Sequence, residues 1–432
     1  MRQSELFTKT RREAPKDEVA KNAQLLVRGG YIHKEMAGVY SYLPLGLRVL
    51  NNIMRVIREE MNAIGGQEVF MAALQSPDVW TKSGRWLDEQ IEVWFKTKLK
   101  GGGELGLATT HEEPLSAIMA EHVRSYKDLP RYVYQFQTKF RNELRAKSGV
   151  MRTREFIMKD LYSFSRDEKE FREFYEICAA AYLRIFDRVG IGENTYRTFA
   201  SGGPFSKYSD EFQCVCDAGE DTIYVDEKKR MGVNNEVYDD SVLKELGLRK
   251  ENLIERKAIE VGNIFPLGTK YADALGLKFT DERGAEHAPV MGSYGIGPGR
   301  VMGTIVEVLS DKKGIVWPPE ASPFAVHIVS IAAGNDDIAA EADRLYELLL
   351  QHEIEVLYDD RDVRAGEKFA DADLVGIPQR FVVSEKTVSE GGVEAIERKS
   401  GASTFIADSQ ILEYVASKIK KPMPAGRREK AT

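Results

Sequence analysis

Between residues 48 and 64 the apolar side chains fall at Val49, Leu50, Ile53, Val56, Ile57, Met61 and Ile64. That spacing predicts an amphipathic helix, with Gly65 and Gly66 supplying the permissive backbone at its end. The next stretch, EVFMAAL, loses the helical period and reads as a strand. In RYVYQFQTKF, residues 131–140, aromatic and polar residues alternate, which predicts a strand. TREFIMKDLYSF predicts a second strand, with the short polar stretch ELRAKSGVMR between them. The expected result is an antiparallel hairpin with a basic loop at one end. Residues 168–188, EKEFREFYEICAAAYLRIFDR, return to helical spacing and stop before Gly190.

The pattern changes after KKGIVWPPEASPF, where Pro318, Pro319 and Pro323 punctuate the chain. Beyond it FAVHIVSI, IEVLYDD and QRFVVSE read as strands, separated by helices over DIAAEADRLYELLLQHE and EKFADADLVG. Such alternation implies a small, largely parallel α/β domain. The tail KKPMPAGRREKAT is charged and contains proline, so it is expected to fray. There is no internal repeat and no long low-complexity segment.

Composition narrows the class without fixing it. The 432 residues suffice for two or three domains, and 43% hydrophobic with 30% charged residues is ordinary for a soluble globular chain. No run approaches the ~18 apolar residues of a membrane span, and the N-terminus lacks the apolar core of a secretory signal. Three cysteines give no disulfide framework, so a reducing cytoplasm is the expected compartment. Cys214 and Cys216 form a lone C-x-C, read as strand residues because tetrahedral zinc wants four ligands and no partner pair is visible. A net charge of −7 argues against indiscriminate nucleic-acid binding, so neither DNA nor a membrane is an expected partner.

Against that charge, FRNELRAKSGVMRTREF, residues 140–156, concentrates four arginines and a lysine. A solvated, ion-paired surface would explain them too. Two details favour a ligand. Arg141 and Glu143, one residue apart on a strand, would point to one face. Arg152 and Phe156 stand in an R-x-x-x-F spacing across the loop. Guanidinium forks match phosphate oxygens and aromatic faces stack on bases, so a nucleotide suits the set. A second cluster, MGSYGIGPGRVMGTIVEVL, places Gly295, Gly297 and Gly299 before Arg300 at the head of an apolar helix. It is neither a P-loop nor a dinucleotide fingerprint.

With these residues the chain resembles the class II aminoacyl-tRNA synthetases, and among them the prolyl enzymes, over essentially its whole length. The segment from Gly46 to Leu74 is similar to the first class signature, FRNE with RTREF to the second, and GSYGIGPGR to the third. THEEP, residues 110–114, resembles the family's amino-acid loop. DDRDVRAGEKFADADLVGIP resembles the anticodon-binding domain shared with the histidyl, glycyl and threonyl enzymes.

The resemblance implies an α+β catalytic domain built on an antiparallel sheet over residues 1–318, and a linker at 319–323. A smaller α/β anticodon-binding domain would follow over 324–420, then a flexible tail over 421–432. It implies ATP-dependent joining of L-proline to tRNA(Pro) through a prolyl-adenylate, with ATP and Mg2+ as cofactors and a homodimer as the working unit. By carry-over, Arg141 would be catalytic, contacting the proline carboxylate and the ATP α-phosphate. Glu143 would accept from the adenine amino group, Arg152 would hold the γ-phosphate, and Thr153 would give backbone contacts to the base. Phe156 and Arg300 would sandwich the adenine. Glu211, in SDEF, is a candidate for ATP or magnesium. Thr110 and Glu112 would accept from the proline ammonium, with Ser293 beside the pocket. His111 is read as a positioning residue, because adenylate formation abstracts no proton. Arg361, Arg364 and Lys368 are candidate tRNA contacts, each equally open to a surface-charge reading.

The chain departs from the family pattern in places. Ala72 replaces a proline of the first signature, Ala108 and Thr109 replace Gly-Pro, Ser293 replaces a common cysteine, and Asp210 replaces the histidine of SHEF. The stretch from Tyr224 to Gly262 is too short for the editing domain that many bacterial relatives carry. Two alternatives stay open: another synthetase of the same subclass (glycyl, histidyl or threonyl), or a non-catalytic paralogue that only binds tRNA.

Overall fold

The computed structural model describes residues 1–144, 146, 148–203 and 207–418. The expected tail over 421–432 lies outside them. Among the described residues the chain divides into two compact units: Ala37–Val39 with Ile57–Thr304, and Met1–Met36 with Tyr40–Val56 and 305–418.

The unit holding Ile57–Thr304 is built on a nine-stranded sheet. Its central ladder is the expected hairpin. Arg131–Phe140 pairs antiparallel with Glu155–Ser165, from Arg131 opposite Phe164 to Phe140 opposite Glu155. Val290–Ile296 adds on the far side of Glu155–Ser165, and Ile254–Gly268 follows it. Tyr208–Val215 pairs with Ile254–Gly268 on one side and with Thr195–Ser201 on the other, so this end of the sheet closes on itself. The expected helix over 168–188 is Glu168–Arg188. Its N-cap Asp167 accepts from the Glu170 amide, satisfying a donor that the first turn leaves unpaired. The helix buries Phe171, Phe174, Cys178, Tyr182 and Ile185, a stripe at helical spacing. Glu168–Arg188 contacts Glu155–Ser165 and Val290–Ile296.

Two local expectations are corrected. EVFMAAL is broken into two short strands, Gln67–Glu68 parallel to Arg131–Phe140 and Leu74–Gln75 antiparallel to Glu104–Leu107. Between them side chains meet the Met71 backbone: Gln135 Oε1 accepts from the Met71 amide at 3.0 Å, and the Gln137 amide donates to the Met71 carbonyl. Arg141 and Glu143 lie past the end of the strand, because the Asn142 amide turns away to the Val93 carbonyl and the Glu143 amide to the Arg141 carbonyl. Strand alternation therefore does not govern that pair. Of the two neighbouring cysteines, Cys214 is on a strand and Cys216 stands just beyond its end.

The other unit carries a five-stranded sheet in the order Val356–Asp359, Val326–Ser330, Gln379–Val383, Gly392–Glu397, Ser403–Ala407. The first three are parallel, as the βαβ alternation predicts. The last two are antiparallel additions that the sequence pattern did not reveal. The helix Asp336–Gln351 sets Ile338, Ala342, Leu345 and Leu349 into a core with Val326, Ile328, Val356 and Phe381. The helix Ala365–Val375 ends at Gly376, which has φ +80°; a Cβ there would stand 2.1 Å from the Ile315 carbonyl oxygen. Only glycine satisfies both constraints. The fold is thus α+β: one unit on a largely antiparallel sheet and one on a mixed five-stranded sheet.

Candidate active site

Ladder register sets the floor of the site. Gln135 stands opposite Asp160, Asp160 opposite Gly295, Gly295 opposite Asn263, and Asn263 opposite Glu211. Directly opposed residues share a face of the sheet, so this row runs across five strands on one side. Gly295 sits in its middle, where a Cβ would lie 3.0 Å from Asn263 Oδ1.

Over that floor opens a cleft that Arg141, Glu143, Arg152, Thr153, Phe156 and Arg300 all line. These are the six residues assigned to the nucleotide by sequence, apart from Glu211. The Arg141 guanidinium carbon stands 5.4 Å from the Phe156 ring centre, within cation–π range, and its Nη2 donates to the Thr109 carbonyl at 3.3 Å. Arg152 is shared between Glu143 at 3.5 Å and Glu220 at 3.1 Å. Arg300 opens the helix Pro298–Leu309 and donates to the Met151 carbonyl at 2.9 Å, the Glu260 carbonyl at 3.0 Å and Glu260 Oε2 at 3.1 Å.

Glu211 does not line the cleft itself, but its ladder partner Asn263 does. Its Oε2 accepts from Gln213 at 2.8 Å and from Asn234 at 3.1 Å. Burial first, and then the neighbouring Glu260 carboxylate, push the Glu211 carboxyl up to about 8. The Glu260 carboxylate, a lining residue of the cleft, bonds Arg300 through Oε2 and accepts from Asn263 Nδ2 through Oε1, so a divalent cation there would share it with these donors. Among the described residues no group of three or more His, Cys, Asp or Glu is arranged to hold a metal by itself. Magnesium commonly takes one or two carboxylates and completes its shell with water and phosphate oxygens, so Glu211 and Glu260 fit that ion.

The proline candidates gather deeper along the same face, around Tyr162. Tyr162 is the ladder partner of Ser293, and its hydroxyl lies 3.4 Å from Thr110 Oγ1. Thr110 donates to Glu112 Oε1 and Oε2 at 2.7 and 2.6 Å. Glu112 is 2% exposed, and Arg85 Nη1 approaches it at 3.4 Å while also bonding Glu113 at 3.0 Å. His111 is fully buried; burial and the Lys139 ammonium hold its imidazole down near 4, so it is neutral at physiological pH. Nδ1 meets Lys139 at 2.6 Å and Nε2 donates to the Ala72 carbonyl at 3.0 Å. Ala72 therefore contacts the amino-acid loop directly. The Ala108 amide bonds the Ala73 carbonyl at 2.8 Å, so the departures at 72, 108 and 109 fall in one place.

The three tRNA candidates differ in availability. Lys368 is 4% exposed, with its ammonium donating to the Ser330 carbonyl at 2.7 Å and the Asp359 carbonyl at 3.3 Å. Arg361 forks onto Asp359 at 2.8 and 2.7 Å and reaches Asp371 at 2.9 Å. Arg364, the N-cap of Ala365–Val375, is exposed. Sequence reasoning missed Glu260, Asn263, Arg85, Lys139 and Asp160. Lys139 and Asp160 stand in the stretches KFRNE and REFIMKD but drew no role there; strand register and tertiary packing bring all five to the site.

Comparison with known proteins gives the family. The tRNA synthetase class II core domain (G, H, P, S and T) matches residues 95–309, and the anticodon binding domain matches 325–418. The chain is 37% identical over 441 aligned residues to the proline–tRNA ligase of Xanthobacter autotrophicus, covering 96% of this chain and 99% of that one. It is 36% identical to that of Brucella ovis, over 93% and 96% of the two chains. It is similar in fold to the prolyl-tRNA synthetase of Cryptosporidium parvum complexed with halofuginone and AMPPNP, at TM-score 0.74 and 18% identity, covering 92% of this chain and 77% of that one. The near full-length identity to bacterial enzymes places the family beyond the subclass: the chain belongs to the proline–tRNA ligases of class II.

Proposed function

We propose that this protein activates L-proline with ATP and passes it to tRNA(Pro), using the cleft between Arg141, Arg152, Phe156 and Arg300. The observation that carries the reading is that these side chains, distant in sequence, line one cleft in a chain of this family. The proline carboxylate oxygen attacks the α-phosphorus in line; the bond to the β-phosphate oxygen breaks, giving prolyl-adenylate and pyrophosphate. Arg141 stands where negative charge grows on the α-phosphate oxygens, and its fixed guanidinium stabilises that charge without reorganising. Adenine stacks between Phe156 and Arg300, with Glu143 accepting from its amino group and the Thr153 backbone at its edge. Arg152 exchanges the carboxylates of Glu143 and Glu220 for the γ-phosphate. Magnesium, when bound, neutralises phosphate charge; Glu211 and Glu260 are the residues that would hold it.

Thr110 and Glu112 take the two N–H groups of the secondary ammonium, with Ser293 at the pocket wall. In the second step the terminal ribose of the tRNA attacks the adenylate carbonyl and AMP leaves. The division of labour we propose is catalysis by residues 1–318, a linker at 319–323 and anticodon reading by 324–420. Arg364 is the base-reading candidate, because the guanidinium of Arg361 and the ammonium of Lys368 are already held by protein groups. Exposed Val69, Phe70 and Leu74, at the end of the first signature, offer an apolar face for a second copy in a cytoplasmic homodimer.

Pyrophosphate exchange measured with each amino acid in turn tests the reading. Exchange is expected with proline alone at full rate. Exchange driven by glycine, histidine or threonine, or by none, overturns it.

A further inference from the structure

Beneath the amino-acid loop lies a buried polar chain that the activation chemistry leaves unused. Lys139 is 0% exposed. Its ammonium meets both oxygens of Asp160, at 2.9 and 3.0 Å, and donates to His111 Nδ1 at 2.6 Å. Gln135 donates to the same carboxylate at 3.0 Å. The Tyr162 hydroxyl donates its only proton to Asp160 Oδ2 at 3.1 Å, so it offers lone pairs alone to its other neighbours. The His111 amide donates into them at 3.1 Å. Thr110, 3.4 Å from the same oxygen, gives its proton to Glu112.

Once Lys139 is charged and Asp160 ionised, every donor in this chain has one direction. What the Thr110–Glu112 pair itself has left to offer is acceptors: the Glu112 carboxylate, which Arg85 Nη1 approaches from one side at 3.4 Å, and the lone pairs of Thr110. A secondary ammonium is the matching ligand, with two N–H donors and no acceptor. We propose that Lys139, Asp160 and Tyr162 are positioning residues that set the hydrogen-bond polarity of the Thr110–Glu112 pair, and thereby select a cationic ring amine over an isosteric ring that carries an acceptor. This rests on the reading of Thr110 and Glu112 as the amine site.

The alternative is a buried ion pair that merely fills space, and the test separates the two. Tyr162→Phe keeps the ring, which packs among Leu129, Val133, Tyr271 and Met291, and removes only the hydroxyl. Asp160→Asn keeps the shape and lets an amide donate towards Tyr162. In pyrophosphate exchange with the full chain, each variant is expected to raise KM for proline about tenfold, the effect of losing one hydrogen bond to a charged group, with KM for ATP unchanged. Tetrahydrofuran-2-carboxylate, with an ether oxygen in place of the amine, serves as the probe inhibitor. Its disadvantage relative to proline is expected to narrow in both variants. A role in packing alone would weaken both ligands in step, or raise KM for ATP as well, and either result overturns the proposal, as does no change. Should Asp160→Asn fail to fold, Tyr162→Phe carries the test. Glu112→Gln separates the two levels. If it leaves the proline KM unchanged, the amine site itself is misplaced; if it alone raises that KM, only the polarity proposal falls.

Discussion

Arg300 Nε donates to the Met151 carbonyl at 2.9 Å across 149 positions of sequence. With its two bonds to Glu260, that contact fixes the fork on one wall of the cleft before any ligand arrives. A preorganised cation costs nothing to orient during the reaction. Arg300→Ala should lower kcat/KM for ATP in pyrophosphate exchange by about 100-fold. Arg300→Lys should recover little, since an ammonium lacks the planar fork that makes these bonds and stacks on a base. Unaltered ATP kinetics in the alanine variant would remove Arg300 from the site.

Glu211 gives a pH-dependent expectation. Its carboxyl sits at about 8 in the folded protein, against ~4.3 in an unfolded chain. Between those values the folded state keeps a proton that the unfolded state has released. The group's contribution to stability therefore declines as pH rises through that window. Glu211→Gln should raise the melting temperature near pH 8 by about 2–4 °C, and leave it nearly unchanged at about pH 4. The same variant should slow pyrophosphate exchange and need more magnesium to reach half-maximal rate. A stabilising effect that is greater in acid would contradict the assignment.

The close approach at Gly376 predicts a separable defect. Alanine there must hold a left-handed backbone and displace the Ile315 carbonyl, at a cost on the order of 2–4 kcal/mol. Urea unfolding should show the midpoint of Gly376→Ala shifted down. Charging of tRNA should fail at a temperature where proline-dependent exchange persists.

Residues 224–262 bear on accuracy. They form the end of Asp221–Asp226, Met231–Asn234, the short helix Asp240–Glu245 and the start of Ile254–Gly268, parts of the sheet and its connections. No inserted editing domain occupies them. A pocket gains only ~1–3 kcal/mol of rejection for each methylene a ligand lacks, and alanine is two carbons smaller than proline. Preformed Ala-tRNA(Pro) incubated with the protein should persist at the rate of its spontaneous hydrolysis; rapid deacylation would reveal an editing site elsewhere in the chain.

The hairpin and the helix Glu168–Arg188 were legible because one period governs each from end to end. EVFMAAL misled because its apolar residues do not all face a core: Val69 and Phe70 are exposed, and Gln135 and Gln137 take the place of a partner strand. The pair Gly392–Glu397 and Ser403–Ala407 has little alternation to read, with three of the five residues in its last strand exposed. At the site, Arg141, Phe156 and Arg300 announced themselves by motif. Lys139 and Asp160 did not, since alternation alone assigns them to the polar positions of their strands. They are buried because the amino-acid loop covers that face, a fact held in long-range packing.

The double pairing of Tyr208–Val215 has a consequence for synthesis. On a ribosome this strand emerges with Thr195–Ser201 already made, but its other margin stays open until Ala258–Ile264 has left the exit tunnel. For that interval an unpaired ladder is open to other chains, and Glu211 has no fixed address. Slow codons placed between these two segments should therefore increase aggregation of nascent chains, whereas the finished protein offers no free margin there.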